Sequence, residues 1–242
     1  MLAIAGSGCD SSVSATPRAR APRTQSPPAH VDPVRRLEWV RAGSLCVTKG
    51  KLADAHVEVP TFRAVALDRG GDGAAAKFVV HGASANERAL ASGQERRQIG
   101  LKLRAENGCN LVYVMWRLDP KPAIDVSVKR NAGQRTAKEC GAGGYTKVKP
   151  ASALSAADMP VLDDGSEHEL RAEIAGDSLV VWIDGRTAWL GALPETARTL
   201  AGPAGVRSDN LDFDLRGLAV DAASRVDVTA KCVTGDAAVE SD

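Results

Sequence analysis

"RQIGLKLRAENGCNLVYVMWRL", residues 97–118, decides the fold. Its Asn107-Gly108 pair is the strongest short hairpin signal, because both residues accept the positive φ of a tight two-residue turn. With the turn placed there, the register follows. Leu103 faces Val112, Leu101 faces Val114, and Ile99 faces Trp116, so every pair on that face is apolar. The other face pairs Arg104 with Leu111, Lys102 with Tyr113, Gly100 with Met115, and Gln98 with Arg117. A slip of one residue would mix the two faces, so the register is well specified.

The sheet grows outward from this hairpin. After the loop Asp119–Pro122 comes "AIDVSVKRN", residues 123–131. The reading sets Leu118 opposite Ile124, Trp116 opposite Val126, and Val114 opposite Val128. Arg117 then meets Asp125, and Tyr113 meets Lys129. A second meander, "HELRAEIAGDSLVVWIDGRTAWLG" (168–191), has turns at Gly176-Asp177 and Asp184-Gly185. Leu170, Ala172, Ile174, Leu179, Val181 and Ile183 form its buried face. Trp182 and Trp189 fall on the other face with Glu169, Arg171 and Glu173. Further strands are expected at Thr61–Leu67, Lys77–Val80, Leu211–Leu215 and Leu218–Val220. Residues 132–165 read as a long loop with a short helical turn near Ala151–Asp158. About ten short strands at this spacing, with no long helical period, imply an all-β sandwich or barrel.

Composition bounds the partners. The net charge of +1 gives no reason to expect nucleic acid. No apolar run reaches the ~18 residues of a membrane-spanning helix. The start, "MLAIAGSGC", resembles the end of a bacterial lipoprotein signal peptide, with Cys9 as the lipidated residue, although a basic leading region is missing and Gly6 stands where leucine is usual. Residues 10–34 are rich in Ser, Pro, Ala and Arg and have too little apolar surface to fold, which reads as a tether. The expected organisation is therefore a signal remnant at 1–9, a tether at 10–34, one β-sandwich at 35–232, and a disordered tail at 233–242.

Setting Cys9 aside leaves an even set of cysteines without the spacing of a metal site. Cys109 flanks the hairpin turn, and the chain leaving the third strand passes it before reaching Cys140. Cys46 and Cys232 lie in the first and last segments of the domain, which commonly meet in sandwiches. The expected pairs are Cys109–Cys140 and Cys46–Cys232, as suits an exported protein.

The segment "GVRSDN" (205–210) runs into a strand and is preceded by "EHELRAEI" and "SLVVWIDG". Together they resemble concanavalin A-like jelly rolls, in particular the laminin-G-type and 3-keto-disaccharide-hydrolase-type members of bacterial envelopes. The resemblance spans about residues 40–225 as a pattern. It implies two curved antiparallel sheets, often with glycan bound on the concave one. It carries no activity over, since the Glu-x-Asp-x-x-Glu strand of jelly-roll glucanases is missing from this sequence.

Catalytic signals are sparse. There is no nucleophile elbow, metalloprotease motif or phosphate loop. The four histidines are scattered along the chain and read as structural. Glu169 and Glu173 share a strand face, but beside Arg171 they read as a solvated surface rather than a glycosidase pair. Asn210, Asp212 and Asp214 have oxygens that calcium could use, yet too few for its usual ~6–8 ligands. "GPAGVRSDN" reads as a turn followed by a polar strand start, with Arg207 able to reach a ligand or a carboxylate. The polar face of the first meander is the strongest binding candidate. Lys102, Tyr113 and Lys129 form one row, and Gln98, Arg117 and Asp125 another; the lysines favour an acidic sugar or an acidic partner. Trp182 and Trp189 form a second candidate platform.

The expectation is thus a monomeric, exported or lipid-anchored, non-catalytic β-sandwich of the cell envelope or exterior. Its ligand would be a glycan or envelope polysaccharide, bound by Lys102, Tyr113, Arg117, Lys129, Trp182, Trp189 and Arg207, with no cofactor beyond possible calcium. The alternatives are a glycoside hydrolase or polysaccharide lyase of the same fold, and a structural envelope protein.

Overall fold

The computed structural model describes residues 27–67, 69–162, 164–222 and Cys232. The expected Cys9 anchor, most of the tether and the whole tail at 233–242 lie outside the described residues. In chain order the strands are β1 (Leu37–Val40), β2 (Cys46–Lys49), β3 (His56–Val57), β4 (Thr61–Val65), β5 (Gly70–Ala83), β6 (Arg97–Asn107), β7 (Asn110–Asp119) and β8 (Ala123–Lys129). They continue with β9 (Tyr145–Lys147), β10 (Ser152–Ala153), β11 (Glu167–Ala175), β12 (Ser178–Ile183), β13 (Arg186–Ala192), β14 (Gly205–Asp209) and β15 (Leu211–Asp221).

These make two antiparallel sheets. The first runs β1-β15-β5-β11-β12-β13-β10, with β3 added beside β15; the second runs β2-β4-β14-β6-β7-β8-β9. The apolar alternation explains how they stack. Ile99, Leu101, Leu103, Val112, Val114 and Trp116 from the second sheet meet Phe78, Leu170, Ala172, Val181 and Phe213 from the first in one core. Trp116 meets Phe78 edge-on at 5.9 Å, and Phe62 meets Phe213 in the same way at 6.3 Å, the geometry that aromatic quadrupoles favour. No helix among the described residues is long and apolar enough to cross a membrane.

The β6–β7 register is the one the Asn-Gly turn dictates from Gln98–Arg117 to Leu103–Val112. The Arg104–Leu111 pair does not form. Arg104 has φ 48°, the ladder shifts there, and its side chain turns away to Asp72 and the carbonyl of Ala197. The β7–β8 pairing differs from expectation by two residues: Trp116 faces Ile124, Val114 faces Val126, and Tyr113 faces Ser127. Only residues 120–122 separate the two strands, so the turn is tighter than the Pro-rich loop implies. A shift of two preserves the faces, which is why the core sorts correctly all the same.

Four other segments depart from the sequence reading. The strand expected at Lys77–Val80 runs longer, from Gly70 to Ala83, and its glycines let backbone pass close by: a Cβ at Gly71 would lie 2.4 Å from the Arg104 nitrogen. The two expected strands at 211–220 are one, with a bulge between Leu215 and Gly217. The helical turn is α1 (Ala137–Cys140), while Ser152–Ala153 pairs with β13. The "turn" GVRSD is β14, paired on one side with β4 and on the other with β6. Asp209 accepts from Gln98 and Arg207 there rather than shaping a turn. Asn210, at φ 54°, instead holds Arg88 and the Arg96 carbonyl, so it ties the loop after β5 to the crossing between the sheets.

Both cystine bridges have the expected partners. Cys46–Cys232 and Cys109–Cys140 have Cα separations of 5.4 Å and 5.9 Å.

Candidate ligand-binding site

The outer face of the second sheet is not an open solvent surface. Two chain segments roof it: the loop between β5 and β6, and the segment from α1 into β9. Between them lies a cavity of about 330 Å³. Its floor comes from period-two alternation on β4, β14, β6, β7 and β8, which points Arg63, Arg207, Gln98, Tyr113, Ser127 and Lys129 outward.

Arg207 organises the floor. Its Nε and Nη2 donate to the two oxygens of Asp209, at 2.9 and 3.1 Å, and Gln98 Nε2 donates to Asp209 Oδ2 at 2.6 Å. Burial works against the guanidinium's charge, but the Asp209 carboxylate outweighs it and holds Arg207 protonated well above the ordinary arginine range. The guanidinium then lies over the Tyr113 ring at 4.9 Å, a cation–π contact.

The chain's two tyrosines stack here. Tyr113 and Tyr145 lie 6.1 Å apart with ring planes at 20°. Lys129 Nζ stands 5.0 Å from the Tyr145 ring centroid and donates to the carbonyl of Gly141 at 2.9 Å. Tyr113 is 3% exposed, whereas Tyr145 is 44% exposed. The Cys109–Cys140 bridge fixes this rim, because Gly108 and Gly141, next to the two cysteines, both line the cavity.

Asp125 at the other end is held by cations. Arg96, Arg117 and Lys147 approach its carboxylate at 3.2, 3.1 and 3.0 Å. Asp209 is likewise engaged, by Arg207 and Gln98, so both carboxylates at this site are held by cations or amide donors.

Of the residues expected from sequence, Tyr113, Lys129 and Arg207 converge on the cavity. Lys102 is buried on the same face but does not line it, and Arg117 serves Asp125 and the Lys121 carbonyl from outside. Tyr113 does not stand outward in a row with Lys129. Instead it is covered by Tyr145, and the two-residue register shift pairs Lys129 with Leu111. The tryptophan platform does not exist. A bulge between Val181 and Trp182 sends Trp189 into the core, while Trp182 on the opposite face donates Nε1 to the Val31 carbonyl beneath the N-terminal segment. Glu173 is likewise not solvated. It is 1% exposed and accepts from the backbone of Val34 and Arg35 and from Arg171. Tyr145 is the residue that sequence reading missed. Its only signal is a lone aromatic in "GAGGYTK", inside a stretch whose composition says loop.

No protein-family model matches the chain, and no curated protein matches it. Solved structures do. The carbohydrate binding module CBM66 from Bacillus subtilis is 12% identical with a TM-score of 0.50, over 72% of this chain and 93% of that one. A tetrameric galectin from the ball sponge Cinachyrella sp. is 12% identical with a TM-score of 0.42, over 67% of this chain and 99% of that one. Identities this low speak to architecture alone. With its two stacked antiparallel sheets, the chain is a jelly-roll sandwich of the concanavalin A-like kind.

Proposed function

We propose that this chain is an exported, non-catalytic carbohydrate-binding β-sandwich, and that the cavity over the second sheet is its glycan site. The observation that carries the reading is the half-exposed Tyr145 ring, braced from behind by Tyr113 and flanked by hydrogen-bonding side chains. A sugar ring presents an apolar C–H face to such an aromatic and its hydroxyls to Gln98, Ser127 and Lys129 at the edges. The volume, about 330 Å³, is at the low end of the ~300–1,000 Å³ of small-ligand pockets. That suits one or two sugar units at a chain end better than a long polymer.

The charge of the lining selects among sugars. Arg63, Arg96, Lys129 and Arg207 line the cavity against one acidic side chain, Asp125. A uronic acid or otherwise anionic sugar fits this excess. The similarity to a structure named as a carbohydrate binding module supports the ligand class. Asp125 and Asp209, tied to cations, support binding over hydrolysis. The two disulfides support export, and lipidation of Cys9 and a monomeric state belong to the same proposal.

The test is a panel of neutral and uronate oligosaccharides, titrated calorimetrically with turnover assayed in parallel. Binding of a uronate member without turnover is the expected result. Cleavage of any member would replace the binding reading with the glycosidase or lyase one.

A further inference from the structure

On the opposite side of the molecule, the outer face of the first sheet gathers histidines that lie far apart in sequence. β3, β15 and β5 are neighbours there. In register, His56 sits directly opposite Asp214, while His81 projects from β5 at the irregularity between the Phe213–Val80 and Asp212–Gly82 pairs. His56 Nδ1 is 2.9 Å from Asp214 Oδ1, and His81 Nε2 is 3.3 Å from Asp214 Oδ2. One nitrogen from each ring and one carboxylate oxygen lie within 4.8 Å of one another.

We propose that His56, His81 and Asp214 bind a divalent transition-metal ion such as zinc. Ligands 2.0–2.2 Å from tetrahedral zinc stand about 3.4 Å from each other. The nitrogen–oxygen separations, 2.9 Å to Oδ1 and 3.3 Å to Oδ2 of Asp214, are of that order, and the three donor atoms lie within 4.8 Å of one another. The surroundings have the parts such a site uses. The other nitrogen of His81, Nδ1, faces Asp164 Oδ1 at 3.6 Å. A carboxylate behind a metal-bound imidazole orients the ring and raises its basicity. Asp212 adds a second negative charge 3.5 Å from His56 Nε2, and its Oδ1 is enclosed without accepting a hydrogen bond. Asp214 and Asp212 together supply the two negative charges that balance a 2+ ion.

The donor set also selects the metal. Imidazole nitrogens suit zinc, copper and nickel, whereas calcium prefers ~6–8 oxygens. Cys46, Cys109, Cys140 and Cys232 are consumed in disulfides and cannot compete as thiolates. Arg216 approaches Asp214 Oδ2 at 3.3 Å, but its side chain is half exposed and free to swing out when an ion arrives. The bound ion would tie the two-residue β3 to the long strands β5 and β15.

The experiment is titration of the tag-free chain with zinc chloride, and separately with calcium chloride, followed by calorimetry and by Tm. One zinc per chain is expected, with no calcium response, and Tm should rise by about 5–10 °C at a hundredfold excess over Kd. His81→Ala and His56→Gln should each abolish the zinc-dependent shift, with unchanged circular dichroism confirming that they fold. Asp164→Ala should weaken affinity by about 10–100-fold. No zinc response in the unaltered chain would overturn the site. So would an equal response in both histidine variants.

Discussion

Arg207 reaches across an entire strand to meet Tyr113. Its register partner is Gly100 on β6, yet its guanidinium lies 4.9 Å from a ring on β7. The crossing is open because Gly100 has no side chain. A Cβ there would stand 2.3 Å from the Val114 carbonyl and 2.6 Å from Met115 Sδ. Gly100→Ala should therefore cost about 1–3 kcal/mol through overpacking, and it should displace Arg207 from the ring. Urea unfolding measures the first effect; ligand affinity reports the second.

The Arg207–Asp209 pair is buried, and its two members should not behave as independent residues. Asp209→Ala leaves a guanidinium without its counter-charge and should cost about 3–5 kcal/mol. Replacing both, as Arg207→Met with Asp209→Leu, should cost much less than the sum of the single changes. A double-mutant cycle that came out additive would show the pair to be uncoupled.

Breaking Cys109–Cys140 should loosen the rim as well as the fold. The bridge spans 31 residues, for which chain entropy gives about 3–4 kcal/mol. The double change to serine should lower the unfolding free energy by that amount, read from denaturant unfolding. It should also weaken ligand binding, because Gly141 and Tyr145 lose their anchor.

Trp116 and Tyr113 occupy opposite faces of β7, and both are enclosed. Trp116→Ala should cost about 3–5 kcal/mol by opening a cavity between the sheets. Tyr113→Ala should also destabilise, since Arg207 and Tyr145 both rest on its ring. A variant as stable as the parent would mean that Tyr113 faces solvent.

How far the sequence could carry the reading follows from these particulars. The Asn107-Gly108 turn and the alternation around it made the central hairpin legible, since a slip there exposes a whole apolar face. The cystine pairing was legible for a related reason: strand order limits which cysteines can meet. β14 was not, because Gly205, Ser208 and Asp209 have turn-forming chemistry and only tertiary pairing on both sides makes them strand. Nor was the roof over Tyr113. Residues 84–96 and 130–144 carry no periodic signal, so nothing local says that they fold back over the sheet. The meeting of His56, His81 and Asp214 depends on β3 joining β15, a contact between residues more than 150 positions apart.

The most direct measurement is calorimetric binding of a uronate oligosaccharide to the parent chain and to Tyr145→Ala, with Tm recorded for both. Tyr145 is exposed and braced, so its loss should remove most of the affinity while Tm changes little. Its neutral counterpart sugar should bind the parent more weakly. Unchanged affinity in a folded Tyr145→Ala protein would contradict the glycan site placed here.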